Sequence, residues 1–115
     1  SRIRSNNLDC LNKVIVYIEE HYNERLTVNQ LARYAGMSTS NLHLLFKKAS
    51  GKTITDYINQ VRIQNADRLL RNSDMNISEI ATAVGVDDSN YFTKLFKKYK
   101  KIAPSQIRKA EGTGA

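Results

Sequence analysis

An internal repeat with helical spacing is the strongest constraint on how this chain can fold. Shifted by 49 residues, the segment LTVNQLARYAG at 26–36 aligns with MNISEIATAVG at 75–85; shifted by 50, LHLLFKK at 42–48 aligns with FTKLFKK at 92–98. Apolar residues in both copies recur every three or four positions, which indicates amphipathic helices rather than strands. Because solenoids generally need three or more units, two copies predict paired lobes instead of an extended array.

Each copy has the residues that begin and end two short helices joined by a turn. A Thr or Asn followed three residues later by Gln or Glu gives a capping box, and a glycine permits left-handed backbone at the turn. The residues in these positions are Thr27, Gly36 and Ser38 in the first copy, and Asn76, Gly85 and either Asp87 or Asp88 in the second. This pattern predicts one helix-turn-helix in each copy.

The whole chain is predicted to be a single all-α domain of about seven helices, with two helix-turn-helix lobes joined by a long linker helix. Lobe one covers about residues 8–52, the linker helix about 54–72 and lobe two about 75–110, and the tail 111–115 is predicted to be disordered. At about 1.5 Å per residue the linker would span roughly 27 Å, long enough to separate the lobes by about one DNA turn of 34 Å.

A helical wheel divides the second helix of each copy into a buried stripe and an outward polar face. The predicted buried residues are Leu42, Leu45, Phe46 and Ala49 in the first copy and Phe92, Leu95, Phe96 and Tyr99 in the second. The first helix of the chain has a similar stripe of Leu8, Leu11, Val14, Ile15, Ile18 and Tyr22. The outward polar side chains are of types that pair with base edges, and the lysines after each buried Phe can meet phosphates at the groove rim.

The charge of the chain favours a polyanionic partner. Lys and Arg total 18 against 11 Asp and Glu, which gives a net charge of +7. Nucleic acid, an anionic membrane or an acidic protein could supply the opposite charge. The sequence contains no run of about 18 apolar residues, so it predicts no membrane span. We therefore expect no membrane partner. One Cys, two isolated His and the lack of a P-loop, a dinucleotide turn or a nucleophile elbow predict no metal, no cofactor and no enzyme activity.

The order LARYAGMSTSNLHLLFKKASGKTITDYINQVRIQNADRLL, followed by ISEIATAVGVDDSNYFTKLFKKYKKIAPSQIR, resembles the DNA-binding domain of AraC/XylS-type bacterial transcription regulators. The resemblance covers about residues 8–109. It is most specific in the second copy, from the ISEIA start to Pro104 followed by Arg108. It implies a seven-helix, two-lobed fold in which each lobe places one recognition helix in a major groove of the DNA.

The resemblance also implies roles for individual residues. The base-contacting residues would be Ser40, His43 and Leu44 in the first recognition helix and Ser89, Asn90, Thr93 and Lys94 in the second. Leu44 departs from the pattern, because similar domains commonly have Arg there, and a Leu offers only apolar contact, for example to a thymine methyl group. Exposed charge and helix N-termini add phosphate contacts by Thr27, Lys47, Lys48, Arg62, Asn76, Lys97 and Lys98. For Arg62, an ion pair with Asp56 or Asp67 is an equal alternative.

The predicted function is sequence-specific binding of double-stranded DNA as the DNA-binding domain of a bacterial transcription regulator. The resemblance implies an activator that contacts RNA polymerase, a cytoplasmic and nucleoid-associated location, and dimerisation only through a separate sensor domain outside this chain. The alternative is a basic helical protein-interaction adaptor for an acidic partner. A DNA reader should prefer one duplex over scrambled duplex at fixed salt, whereas an adaptor should bind DNA weakly and with strong salt dependence.

Overall fold

The chain folds into seven α-helices. The computed structural model describes the backbone of residues 2–113 and the side-chain surroundings of residues 7–109. The helices are α1 (Arg2–His21), α2 (Val28–Ala35), α3 (Thr39–Ser50), α4 (Ile54–Asn72), α5 (Ile77–Ala83), α6 (Ser89–Lys100) and α7 (Pro104–Thr113). No strand occurs between residues 2 and 113. The predicted all-α fold of about seven helices is confirmed.

The helices form two compact units, divided between Ile58 and Asn59 within α4. Unit one contains α1, α2, α3 and the first turn of α4, and unit two contains the rest of α4 with α5, α6 and α7. The last helix reaches Thr113, so residues 111–113 are helical where the sequence predicts a disordered tail. Once a helix is nucleated, each further residue adds a hydrogen bond, and Glu111 and Gly112 extend the helix without a proline to stop it. The predicted tail residues Gly114 and Ala115 lie outside the described residues.

Side-chain caps fix where the short helices begin. The Thr27 hydroxyl accepts from Gln30 N at 3.1 Å, and the Gln30 side chain accepts from Thr27 N at 3.0 Å. Asn76 and Glu79 form the same reciprocal pair at the start of α5. Both predicted capping boxes are confirmed, and they satisfy backbone N–H groups that have no partner within the helix. The other predicted caps are also present: Ser38 begins α3, and Asp88 rather than Asp87 begins α6.

The core of unit one forms where α2 and α3 pack against α1. Its buried side chains are Leu11, Val14, Ile18, Leu31, Ala32, Ala35, Leu42, Phe46, Ile54 and Ile58. The centres of the Phe46 and Tyr57 rings lie 5.6 Å apart in an edge-to-face arrangement, and the Tyr57 hydroxyl donates to Glu19 on α1 at 3.0 Å. Burial, together with this bond to Glu19 and its negative charge, raises the pKa of Tyr57 to about 12. A single tyrosine therefore joins α4 to both α3 and α1.

The buried stripes in unit one are narrower than the sequence predicts. Leu8 is 56% exposed, Ala49 is exposed and Leu45 is only half-buried. The wheel gives the direction of a side chain from its own helix, but burial also requires another element to cover that turn. The predictions that Leu8 and Ala49 are buried are therefore wrong, while those for Leu42 and Phe46 are correct.

The core of unit two is built around the second half of α4 and the aromatic residues of α6. Its buried side chains are Val61, Ile63, Ala66, Leu70, Ile80, Ala81, Val84, Val86, Phe92, Leu95, Phe96, Pro104 and Ile107. The Phe92 and Phe96 rings lie 5.9 Å apart, and both are fully buried. Tyr99, predicted to share this stripe, is half-buried. Because one side of α6 is fixed in the core, its opposite side is held toward solvent.

Arg108 on α7 binds the backbone where α4 ends and the chain turns toward α5. Its guanidinium donates to the carbonyl oxygens of Leu70 at 3.3 Å and Ser73 at 3.0 Å, and it also donates to the carbonyl of Met75. Carbonyl groups at the end of a helix have no partner within that helix. A planar guanidinium with five N–H groups can satisfy several of them at once. Arg108 thus fixes the segment that leads to the Asn76 cap.

We predict that Arg108→Ala lowers the free energy of unfolding by about 2–3 kcal/mol, because charged hydrogen bonds are lost and part-buried carbonyls are left without a donor. Urea denaturation followed by circular dichroism measures this loss. Lys109→Ala, at the exposed neighbouring position, is the matched control and should change stability little. Equal stability of the two variants would contradict a structural role for Arg108.

Candidate nucleic-acid interface

The outward face of α3 carries the three residues that the sequence assigns to base contact. Ser40, His43 and Leu44 are all exposed, opposite the buried Leu42 and Phe46. Leu44 is 71% exposed, more than any other large apolar side chain among residues 7–109. The side chains offered by this face are therefore a hydroxyl, an imidazole and an apolar isobutyl group.

An open groove of about 1110 Å³ borders the side of α3 that carries Leu44. Val16, Tyr34, Leu44 and Leu45 supply apolar parts of its lining, and Lys48 supplies a positive charge. Val16 and Tyr34 are themselves about half exposed. Leu44 therefore belongs both to the outward face of α3 and to an exposed apolar surface of unit one, which sequence reasoning missed.

The outward face of α6 differs in character from that of α3. Asn90 and Lys94 are exposed, while Ser89 and Thr93 are half-buried. The Thr93 hydroxyl donates to the Ser89 carbonyl at 3.0 Å, so its proton is already used within the helix. Thr93 can still accept a hydrogen bond or offer its methyl group. The strongest donors and acceptors on this face are the Asn90 amide and the Lys94 ammonium.

Asp88 occupies the N-terminus of α6. Its Oδ1 accepts from Asn90 N at 2.9 Å and from Tyr91 N at 3.3 Å. A carboxylate at this position also interacts favourably with the helix dipole. Asp88 therefore holds the start of α6 in place but adds negative charge beside the outward face.

Exposed lysines stand in the last turns of both helices. Lys47 and Lys48 lie at the end of α3, and Lys97 and Lys98 lie at the end of α6; all four are exposed. The Lys98 ammonium lies 5.6 Å from the centre of the Tyr99 ring. Cations are favourable at a helix C-terminus, and these lysines also give each helix a positive end.

The remaining candidates for phosphate contact are less available to a ligand than the lysines are. Thr27 and Asn76 are exposed, but their side chains accept from their own helices, and the carboxylate of Glu79 lies beside Asn76. Arg62 is half-buried, and desolvation lowers its pKa, opposed by the nearby Tyr91 and Asp87. Its electrostatic neighbours therefore include the start of α6.

Asp67 is held by two cations other than Arg62. Its carboxylate accepts from Arg71 Nε at 2.9 Å and from Lys100 Nζ at 3.2 Å. The contact with Lys100 joins α4 to the C-terminal end of α6, and sequence spacing gives no signal for it because the two residues are 33 positions apart.

Residues 31–110 match the family model described as a helix-turn-helix domain, which is more than half of the chain. The chain belongs to the AraC-type helix-turn-helix family. The resemblance noted in the sequence is thereby confirmed. This family consists of DNA-binding domains of transcription regulators.

Relatives and a solved structure agree with this membership. The chain is 38% identical over 99 residues to the Msm operon regulatory protein of Streptococcus mutans, covering 86% of this chain and 36% of that protein. It is 34% identical over 104 residues to the transcriptional activator RhaS of Klebsiella pneumoniae, covering 90% and 37%. The DNA-binding domain of the transcriptional factor AdpA, solved in complex with a target DNA, superposes with a TM-score of 0.83 at 27% identity, covering 87% of this chain and 90% of that one.

This AraC-type chain spans just over a third of the length of those two curated relatives. Within residues 7–109, no group of three or more His, Cys, Asp or Glu side chains could hold a metal ion. None of the described helices is both long and apolar enough to cross a membrane.

We predict that Asp88→Ala destabilises the AraC-type domain by about 1 kcal/mol, since two N–H groups of α6 lose their acceptor. Asp88→Asn keeps a side-chain oxygen at the cap and should retain most of the stability while removing the charge. Urea midpoints of both variants against the wild type measure the difference. A loss of stability in Asp88→Asn as large as in Asp88→Ala would show that charge, rather than capping, is what Asp88 contributes.

Proposed function

We propose that this chain is the sequence-specific, double-stranded DNA-binding domain of a bacterial transcription regulator, and that α3 and α6 enter successive major grooves. One observation carries the proposal: each unit has a helix-turn-helix whose second helix presents exposed polar residues and ends in two exposed lysines. The complex of the related AdpA domain with its target DNA supports it.

In the proposed complex, α6 reads bases through hydrogen bonds. Asn90 and Lys94 are exposed and suited to adenine and guanine respectively, because an amide can bond adenine N6 and N7 and an ammonium can bond guanine O6 and N7. Thr93 contributes its methyl group or an acceptor lone pair, since its proton is bound to Ser89. Ser89 is half-buried and contributes less than the other three.

The proposed reading by α3 relies on fewer hydrogen bonds. Ser40 and His43 can bond base edges, while Leu44 offers apolar contact only. An exposed Leu next to a thymine methyl group would remove apolar surface from water on both molecules. We therefore propose that Leu44 selects thymine in the half of the site that α3 contacts.

Lysines supply most of the proposed phosphate contact. Lys47, Lys48, Lys97 and Lys98 are exposed at the ends of the two helices, so they can reach the groove rim. Thr27 and Asn76 would act through the N–H groups of the first turn of α2 and α5. Because the Glu79 carboxylate repels a phosphate at α5, we assign the stronger of these two contacts to Thr27. Arg62 would be the most desolvated phosphate contact of the set.

The experiment that tests the function is selection from a random duplex library with the purified domain at about 150 mM salt, followed by sequencing. We expect an enriched motif of two blocks about one helical turn apart. One enriched block would contradict readout by both helices. No enrichment, with weak and strongly salt-dependent binding of every duplex, would favour the alternative of a basic adaptor for an acidic protein.

Leu44→Arg should change the base preference of one block only. An arginine can bond guanine O6 and N7 in a bidentate manner, so we predict a change from thymine toward guanine at one position in the block contacted by α3. Repeating the library selection with the variant measures this change. The block contacted by α6 is the internal control, and an unchanged α3 block would remove Leu44 from the base-reading set.

Two substitutions in α6 separate base reading from phosphate binding. Asn90→Ala should cost about 1–3 kcal/mol on the selected duplex and relax the preference at one position, whereas Lys97→Ala should weaken all duplexes alike and reduce the salt slope by about one. Fluorescence anisotropy at several salt concentrations measures both effects. Asn23→Ala and Lys13→Ala, at exposed sites on or next to α1, are the matched controls. Uniform weakening by Asn90→Ala would contradict its assignment to a base.

We also propose that the regulator activates transcription through RNA polymerase, acts in the cytoplasm at the nucleoid, and dimerises only through a region outside these 115 residues. RhaS is a transcriptional activator, and the chain spans just over a third of it. Transcription in vitro from a promoter that carries the selected site tests the sign of regulation. Less transcript in the presence of the protein would contradict activation.

A further inference from the structure

Lys101, directly after α6, has an unusual backbone conformation. Its φ of 69° and ψ of −1° are left-handed, and it is the one residue other than glycine with positive φ among residues 2–113. A side chain at such a position brings Cβ close to the following carbonyl oxygen, which strains an L-residue. Glycine has no Cβ and is the ordinary choice at the end of a helix.

The internal repeat shows what a glycine does at this position. The shift of 50 residues places Gly51 opposite Lys101, and Gly51 ends α3 with φ 76° and ψ 1°. Gly51 N donates to Lys47 O at 2.8 Å, and Lys101 N donates to Lys97 O at 2.9 Å. The two residues have the same structural role, so the backbone alone gives no reason for a lysine at the second position.

The surroundings of Lys101 supply further reasons against a purely structural role. Lys101 follows α6, and its positive charge adds to those of Lys97 and Lys98 near the end of that helix. A cation at a helix C-terminus is favourable, but three other lysines already stand in the last turn of α6. Lys101 is exposed, whereas the Lys100 ammonium is 3.2 Å from the Asp67 carboxylate.

We propose that Lys101 is a further phosphate-binding residue of the DNA interface, present for its charge at a backbone position that glycine would occupy with less strain. Together with Lys97 and Lys98 it would give the end of α6 three exposed cations. The inference rests on the DNA-binding function proposed above.

The test compares three variants on the selected duplex and on scrambled duplex, by fluorescence anisotropy at several salt concentrations, with urea denaturation alongside. Lys101→Gln removes the charge and keeps a side chain at the strained position, whereas Lys101→Gly removes both charge and strain. Lys100→Gln is the matched control, because it removes an adjacent charge that is already paired with Asp67.

We expect both Lys101 variants to weaken both duplexes alike and to reduce the salt slope by about one, as for one lost phosphate contact. Lys100→Gln should change the slope by clearly less. Lys101→Gly should raise the urea midpoint above that of Lys101→Gln, because it alone relieves the backbone strain. This combination would support a lysine that lowers stability and raises DNA affinity.

Other results would overturn the inference. Unchanged salt slopes in both Lys101 variants, while Lys97→Ala reduces the slope, would remove Lys101 from the interface and leave the proposed function intact. If Lys100→Gln reduced the salt slope as much as the Lys101 variants do, the effect would be one of net charge in general rather than of a contact between Lys101 and a phosphate. A midpoint in Lys101→Gly no higher than that of Lys101→Gln would contradict the strain argument. Failure of the wild-type domain to prefer any duplex would overturn both proposals together.

Discussion

Burial of one phenylalanine in the second helix of each repeat is the interaction on which the candidate interface depends. Phe46 is 1% exposed and Phe96 is fully buried, and two exposed lysines follow each of them directly. A large aromatic ring removed from water contributes a large stabilisation, so it fixes the rotation of its helix about the helix axis. The same rotation turns Ser40, His43 and Leu44 in one unit, and Asn90 and Lys94 in the other, toward solvent. The packing of each core therefore also determines which face of the helix points toward solvent.

Polar contacts then fix the ends of the helices that the core has oriented. Capping boxes begin α2 and α5, Asp88 begins α6, and Arg108 binds the carbonyls between α4 and α5. Each contact satisfies backbone groups that a helix cannot satisfy itself. Their effect is to set where a short helix starts, to within one residue. A shift of the cap by one residue would change the length of the helix and leave N–H groups of its first turn without an acceptor.

The two repeats share the same arrangement of helices and caps but differ in the charge and polarity of several exposed side chains. The capping box of α2 uses neutral Gln30, whereas that of α5 uses charged Glu79. Leu44 stands where the second repeat has Lys94, and Gly51 stands where it has Lys101. The outward face of α3 thus combines hydrogen-bonding groups with an apolar side chain, the face of α6 has an ammonium in place of that side chain, and only the second unit has a left-handed residue other than glycine among residues 2–113. We infer that the two halves of a DNA site would be recognised by different physical means.

The sequence by itself determined the elements of this protein and their local chemistry. Periodicity, the repeat and the capping residues were enough to predict seven helices, both helix-turn-helix motifs and the identity of the caps, because these depend on residues within four positions of one another. Tertiary structure decided what periodicity leaves open. It exposed Leu8 and Ala49, bound Asp67 to Lys100, and bound Arg108 to the carbonyls of Leu70, Ser73 and Met75. These contacts and burials join residues that are far apart in the chain, and only packing of one helix on another brings such residues together.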